Sequence, residues 1–520
     1  MRITVAQLNP ALGDIEKNFE KIVDVLSEKG KETDLIVFSE LFLSGYPAKD
    51  FFKKNEFMEH IQSALDRILI LSKNYPDTGI LVGIPLACPQ GVEGGVCNSV
   101  VLVYQGKVLD VRSKMFSGKN EFFNEAGFFS QVPDNHIITF KGKNLGVVLG
   151  DDVLNFSELN LAQEEVSIVV NMTATPFSIK TINAMHNLIK EQSEKYNIPF
   201  LFVNQVGAAD ELIFDGGSFY VNEKGETVLV CPFFEEHVET VETELSKKIV
   251  QYTAPEEISG ICSALKQGIR DYINKNGFSK AVIGLSGGID SAVTCVLAEQ
   301  AIGAENVLGI AMPSKYSAKQ SEEYSLTLSK NLGIKFETIP INGIYDAYIK
   351  TLKKQLAVDE EGDVEVYLQN IQARIRGNIL MSFSNKHEYM VLATGNKSEV
   401  LTGYCTLYGD TVGGLAVIAD LSKTMVYKLA LYLNRDSEII PKEIIERAPS
   451  AELKPGQKDQ DTLPPYDVLD AVLFYLEEGC SMREIEQKGF DKKTVEWVVK
   501  RIKSNEYKRR QLPLALRINM

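Results

Sequence analysis

VIGLSGGIDSAV, residues 282–293, joins an apolar strand to a helix through a glycine turn. Successive glycines let backbone amides turn toward one point, and the following helix adds the partial positive charge of its N-terminus. Gly284, Leu285, Ser286, Gly287, Gly288, Ile289, Asp290 and Ser291 therefore read as a cradle for phosphate, with both serine hydroxyls able to donate to phosphate oxygens. The loop lacks the lysine of GxxxxGK[ST], and Asp290 instead points to Mg²⁺ between protein and phosphate. On these residues alone, a simple tight turn is the competing reading.

Outward from that loop, KAVIGL (280–285), VLGIAM (307–312), FETIPI (336–341) and YMVLAT (389–394) alternate with helical patterns from about 290 and 317. This predicts a doubly wound parallel sheet, whose ligands lie at the carboxyl ends of the strands. Upstream, a helix over 14–29 carries Ile15, Phe19, Ile22, Val23 and Leu26 on one face and stops at Gly30. Strand-like runs follow at 34–38, 80–84, 99–104, 145–149, 167–171 and 199–203, with hairpins at Gly106 and Gly225, so the first half reads as a mixed α/β sheet domain. The text turns polar and acidic over about 240–257, which places a boundary near 250 and predicts domains over 1–245 and 255–520.

Composition narrows the class. With 520 residues, 44% hydrophobic and 24% charged, the chain can bury real cores and lacks the signature of disorder. Seventy acidic against 55 basic residues, a net charge of −15, give no basic footprint for nucleic acid. No apolar run is long enough for a membrane span, so neither export nor membrane insertion is expected. The seven cysteines (88, 97, 231, 262, 295, 405 and 480) form no CxxC pair and predict reduced, buried thiols in a cytoplasmic protein.

SGGIDS resembles the pyrophosphate loop of adenine-nucleotide hydrolase-like enzymes, which cleave ATP between the α and β phosphates. MPSKYS (312–317), NIQARIRG (370–377), ATGNKSE (393–399), GYCTLYGD (403–410), LAVIADLSKTMVY (415–427), PSAELKPGQKDQDTLPPYDVLD (449–470) and NEYKRRQ (505–511) together resemble the NAD synthetases over nearly all of 257–515. The resemblance implies ATP-dependent amidation of nicotinic acid adenine dinucleotide (deamido-NAD) through an acyl-adenylate, releasing AMP and pyrophosphate. It implies residue roles as well. The 284–291 loop and Thr394 would bind ATP, Asp290 and Glu399 would hold Mg²⁺, and Asn370, Glu399 and Lys508 would bind deamido-NAD. Arg374, Asp410 and Lys423 are weaker assignments, with Lys423 stabilising charge on the α-phosphate and Arg374 as readily a structural pair. Tyr404 and Tyr408 read as packing residues.

Residues 1 to about 235 resemble the nitrilase-type amidohydrolase domain, an α-β-β-α sandwich, that supplies ammonia from glutamine in longer NAD synthetases. VFSELFLSGYPAKD (37–50) places the family glutamate at Glu40, VRSKMFSGKNEFFNE (111–125) the lysine at Lys114, and NQVGAADELIFDGGS (204–218) matches a further segment. That chemistry needs a cysteine thiolate. LGVVLGDDVLN (145–155) puts Gly150 where the cysteine belongs and Asp151 where a glutamate follows it. Asn120, Thr175, Thr181 and the Ala208–Ala209 pair depart from the glutamine pocket of the family. The expectation is a degenerate amidase site, a pseudo-glutaminase, in which Glu40 and Lys114 survive as a buried ion pair. Cys97 is the nearest other thiol in the text, expected away from the site.

Three readings follow: an ammonia-using NAD synthetase, a glutamine-dependent one with nonstandard or partner-supplied glutaminase chemistry, and a non-catalytic nucleotide-binding regulator. Asp290, Ser291, Thr394, Glu399 and Lys508 together argue against the third. The resemblance also implies a homo-oligomer, and leaves room for an external ammonia source.

Overall fold

Strands that bury both faces set the layers of the first half. The computed structural model describes residues 1–89, 95–116, 125–132, 136–159, 161, 164–178, 182–244, 248–356 and 364–518, and the chain divides into two units, Met1–Glu256 and Glu257–Asn519. In the first unit, β1 (Arg2–Gln7), β2 (Leu35–Val37), β3 (Gly79–Ala87), β4 (Val96–Tyr104), β5 (Lys107–Ser113) and β14 (His237–Glu242) form one sheet in the order β14-β1-β2-β3-β4-β5. The second sheet contains β6 (Ile137–Phe140), β7 (Lys143–Leu149), β8 (Ile168–Thr173), β9 (Phe200–Asn204), β12 (Phe219–Val221) and β13 (Thr227–Val230), in the order β13-β12-β9-β8-β7-β6. A short hairpin, β10 (Val206–Ala209) and β11 (Leu212–Asp215), stands beside them. Each sheet has three parallel strands at its centre and antiparallel strands outside.

Period-2 alternation then sorts the side chains. Ile3, Val5, Leu35 and Val37 meet Leu145, Val147, Ile168 and Val170 between the sheets. On the outer face of the first sheet, Ile36, Ile80 and Val82 pack on α1 (Ile15–Lys29) and α2 (Asn55–Ser72) through Phe19, Ile22, Leu26, Ile61 and Leu65. On the outer face of the second sheet, Val148, Val169 and Phe202 pack on Ile189 of α3 (Ile182–Tyr196). The unit is an α-β-β-α sandwich. Asp14 caps α1 by accepting from the Lys17 amide at 3.1 Å, and the hairpins at Gly106 and Gly225 join β4 to β5 and β12 to β13.

The second unit opens with α4 (Glu257–Lys275) and carries one parallel sheet of β15 (Lys280–Gly284), β16 (Val307–Ala311), β17 (Lys335–Thr338), β18 (Tyr389–Ala393), β19 (Leu415–Ala416) and β20 (Leu514–Ala515). Its order, β17-β16-β15-β18-β19-β20, is the doubly wound order whose direction reverses between β15 and β18. The glycine loop leaves β15 at that switch point and enters α5 (Ile289–Ile302).

One cysteine expectation is corrected. Cys88 and Cys97 are joined by a disulfide, their Cα atoms 5.3 Å apart, because Cys97 lies opposite Leu86 in the β3–β4 ladder and Cys88 is two residues further on. A search for CxxC spacing misses a pair closed across a hairpin. The other five cysteines are thiols. Among the described residues, no helix is long and apolar enough to cross a membrane.

Candidate active site

β15 and β18 are parallel neighbours, Ala281 facing Met390 and Val282 facing Val391, so the segments after them leave the same end of the sheet. The first is the glycine loop. Gly287 has φ +72°, and a Cβ there would come 2.5–2.9 Å from the backbone of Ser321. Only glycine satisfies both conditions. Ser291 Oγ donates to Gly288 O at 3.0 Å and lies 3.2 Å from Ser286 Oγ, which accepts from the Gly288 amide at 3.3 Å. Gly287→Ala is expected to destabilise the second unit by about 1–3 kcal/mol through strain and overlap. Fluorescence of Trp497, the only tryptophan in the chain, reports that unfolding.

The second segment begins at half-buried Thr394 and reaches Asn396, which caps the helix Lys397–Thr402. Asn396 Oδ1 accepts from the Glu399 amide at 3.1 Å, Glu399 Oε2 accepts from the Asn396 amide at 3.3 Å, and Asn396 Nδ2 donates to Asp290 Oδ1 at 3.0 Å. Asn396 thus ties the two loops together. Between them lies Lys423, 1% exposed, whose Nζ is 2.5 Å from Asp290 Oδ2 and 3.3 Å from Glu399 Oε1.

Lys423 is the first residue of the helix Lys423–Leu433, where the helix dipole opposes a cation, and burial opposes it too. The carboxylates of Asp290 and Glu399 outweigh both and hold the ammonium charged. Glu399 is pushed up, to about 8, by burial first, with Lys423 opposing and Asp290 and Asp459 adding to the rise. Asp459 itself accepts from Tyr466 at 2.8 Å and from Tyr404 at 3.2 Å. Carboxylates outnumber cations here.

Among the described residues no group of three or more metal-type side chains forms a ligand set. Mg²⁺ is usually held by one or two carboxylates, with substrate phosphates and water completing the shell. Asp290 and Glu399 beside a glycine loop at a helix N-terminus fit that pattern.

The remaining sequence-predicted residues converge on the 403–411 segment. Lys508 Nζ donates to Gly403 O at 2.8 Å and Cys405 O at 2.7 Å, Thr406 Oγ1 donates to Asn370 Oδ1 at 2.8 Å, and Arg374 Nε donates to Leu407 O at 3.2 Å. Asp410 accepts from the Thr406 amide at 2.7 Å. Arg374 is exposed and serves this segment. Tyr404 packs on the cluster of Leu469 and Val472, as expected. Tyr408 does not: it is 63% exposed, on a backbone with φ of +62°.

In the first unit, Glu40, Gly150 and Ala174 follow β2, β7 and β8, so they meet at one end of the sandwich. Lys114 Nζ is 3.0 Å from Glu40 Oε1 and 2.7 Å from Glu125 Oε2. Glu40 also accepts from Asn98 Nδ2 at 2.7 Å and from the Ala174 amide at 3.1 Å. The expected pair is therefore a triad, all three side chains at most 7% exposed. Burial pushes Glu40 up, to about 7, with Lys114 opposing and Glu125 adding.

Gly150 has φ +50°, and a Cβ there would lie 2.5 Å from Lys114 Nζ and 2.8–2.9 Å from the Glu40 oxygens. The ion pair fills the place into which a side chain at 150 would project. Thr175 donates its amide to Asn204 Oδ1 at 3.0 Å, Ala208 and Ala209 are buried in β10, and Asn120 and Thr181 lie outside the described residues. Cys97 is held in the disulfide, and the buried Cys231 thiol is pushed up to about 12 by burial. Among the described residues no thiolate stands in this unit. Lys114→Met should cost about 3–5 kcal/mol, because it strands two buried carboxylates. Faster hydrogen exchange in peptides covering 35–44 and 168–178 checks this.

Sequence reasoning missed Asn396, Asp459, Asn98 and Glu125. The N-x-x-E spacing of Asn396 and Glu399 is a capping-box signal that was available. Glu125 lies inside a quoted motif, but nothing in its spacing ties it to Lys114.

Residues 261–512 match the NAD synthase family and residues 2–249 the carbon-nitrogen hydrolase family. The chain is 39% identical over 539 residues to the glutamine-dependent NAD(+) synthetase of Synechocystis sp., covering 99% of this chain and 96% of that protein. It is 38% identical over 563 residues to the enzyme of the same description from Thermotoga maritima, covering 100% and 96%. The glutamine-dependent NAD+ synthetase of Acinetobacter baumannii, solved in complex with ADP, superposes with a TM-score of 0.80 at 34% identity, over 100% of this chain and 96% of that one. A parallel sheet with its glycine loop at the switch point, an α-β-β-α sandwich ahead of it and these end-to-end likenesses agree: the chain belongs to the two-domain, glutamine-dependent NAD(+) synthetase family.

Proposed function

We propose that this protein converts deamido-NAD to NAD at the expense of ATP, with ammonia as the direct nitrogen donor, and that its amidase-like unit does not hydrolyse glutamine. The observation that carries the synthetase reading is the meeting of the glycine loop and the Glu399 loop around Lys423 at the switch point. The pyridine carboxylate attacks the α-phosphorus of ATP, pyrophosphate leaves, and ammonia displaces AMP from the acyl-adenylate. The loop amides and the Ser286 and Ser291 hydroxyls bind the departing β and γ phosphates. Lys423 Nζ, already charged and desolvated, stabilises negative charge gathering on the α-phosphate. Asp290 and Glu399 would hold Mg²⁺, which when bound neutralises phosphate charge. Thr394 lines the ATP side of the same edge. Asn370, Arg374 and Lys508 act on deamido-NAD by shaping the 403–411 segment.

This scheme requires AMP and pyrophosphate as products in one-to-one ratio with NAD. Chromatography of the spent nucleotides tests it, and ADP in place of AMP contradicts it.

The relatives are described as glutamine-dependent, and this chain departs from that chemistry at Gly150 and at the pocket positions Asn120, Thr175, Thr181 and Ala208–Ala209. Glycine at 150 supplies no nucleophile, the Lys114–Glu40 pair occupies the adjoining space, and of the three cysteines of the unit Cys88 and Cys97 form a disulfide while Cys231 is a core thiol pushed up to about 12 by burial. Glu40, Lys114 and Glu125 then act as a structural triad. Ammonia reaches the acyl-adenylate from solution or from another protein.

A further inference from the structure

We propose that Tyr408 is a stacking residue that positions a flat heteroaromatic ring of the dinucleotide substrate, an inference that rests on the synthetase reading above. A bulky side chain with positive φ is a backbone outlier, and such strain persists only where the surroundings over-determine it. Here they do. The Tyr408 amide donates to Thr411 Oγ1 at 3.1 Å, Thr411 Oγ1 donates to Thr406 O at 3.1 Å, and Leu407 O, Cys405 O and Gly403 O are taken by Arg374 and Lys508. The carbonyls of Tyr408 and Gly409 press on the helix Val366–His387 at Gly377, where a Cβ would meet them at 2.9 and 3.0 Å.

This rigid frame does not bury the ring. Tyr408 remains 63% exposed, and its hydroxyl donates to Gln511 Oε1 at 2.5 Å, which fixes the edge of the ring and leaves its surface open. Gln511 is in turn anchored to Tyr507 O at 3.1 Å, and Tyr507 is 56% exposed. The core gains nothing from this ring, so the strain serves presentation. The segment leaves the helix that bears Glu399, the Tyr404 amide closing that helix on Glu399 O at 2.8 Å, and the cations Arg374 and Lys508 bind its carbonyls. An open aromatic face beside cations suits an anionic molecule with planar rings, and deamido-NAD has two, a pyridine and an adenine.

The test compares wild type, Tyr408→Phe and Tyr408→Ala with ammonium as nitrogen donor, and measures deamido-NAD binding by calorimetry. Loss of an aromatic stacking partner weakens binding by roughly 5- to 100-fold. Tyr408→Ala is expected to raise KM and Kd for deamido-NAD by about 10-fold on that basis, with KM for ATP moved less than about twofold, while Tyr408→Phe keeps most of the affinity. Nicotinic acid mononucleotide and AMP as competitors separate the rings: weaker inhibition by the first marks the pyridine, by the second the adenine, and either supports the proposal. An unchanged Kd in Tyr408→Ala overturns it. So does loss of self-association on light scattering together with equal shifts in both KM values, which would make Tyr408 a subunit contact. A wild-type chain that binds deamido-NAD but forms no NAD defeats the synthetase reading alone, because the calorimetric comparison still decides the role of Tyr408.

Discussion

Asp290→Ala should reduce NAD formation by roughly 10³-fold or more, the scale of several kcal/mol of lost transition-state stabilisation. Two effects combine at this residue. Its carboxylate stands in the first turn of α5, directly behind the glycine loop, and it is the closer of the two partners that keep Lys423 charged. Without it, Asn396 Nδ2 loses its acceptor and Lys423 turns wholly to Glu399. Circular dichroism should remain that of wild type, and the Mg²⁺ concentration giving half-maximal activity should rise. Full activity in the variant would show that another group holds the phosphates and the metal.

Gly150→Cys should not restore glutamine hydrolysis. A missing covalent nucleophile costs on the order of 10⁶ in rate, and supplying the thiol returns only part of the requirement. At φ +50° a cysteine bears strain of about 1–2 kcal/mol. Its Cβ falls 2.5 Å from Lys114 Nζ, so the triad must open before the thiol can seat. Opening it separates buried charges that now satisfy one another. The expected result is a less stable first unit and no glutamate released from glutamine, measured by coupled assay on the purified variant. Release at a rate matching NAD formation would show that one residue alone silences the site.

The glycine loop, the helix over 15–29 and most long strands were legible because each is a local pattern: apolar periodicity bounded by glycine or a cap. The order of the strands was legible only as a class, and β19 and β20, two residues each, are too short to carry any period. At the site, Asp290 and Glu399 stand out in the sequence as separate motifs, whereas nothing local marks the ammonium that joins them. A buried lysine at the start of a helix makes sense only once its two carboxylates are seen around it. Glu125 and Asn98 were invisible for the same reason, since their partners lie 11 and 58 residues away along the chain. Tyr408 reads as core in the sequence because a large aromatic usually is core, whereas in the fold its ring is exposed and its hydroxyl bonds Gln511. The disulfide escaped because its spacing depends on the hairpin that closes it.

The central claim is an active synthetase joined to a silent amidase, and one comparison tests it most directly. The purified chain is supplied with deamido-NAD, ATP and Mg²⁺, then with either ammonium or glutamine, and NAD and glutamate are measured together. NAD is expected with ammonium, with glutamine giving neither NAD nor glutamate above background. Glutamine supporting NAD formation with one glutamate released per NAD would contradict the account.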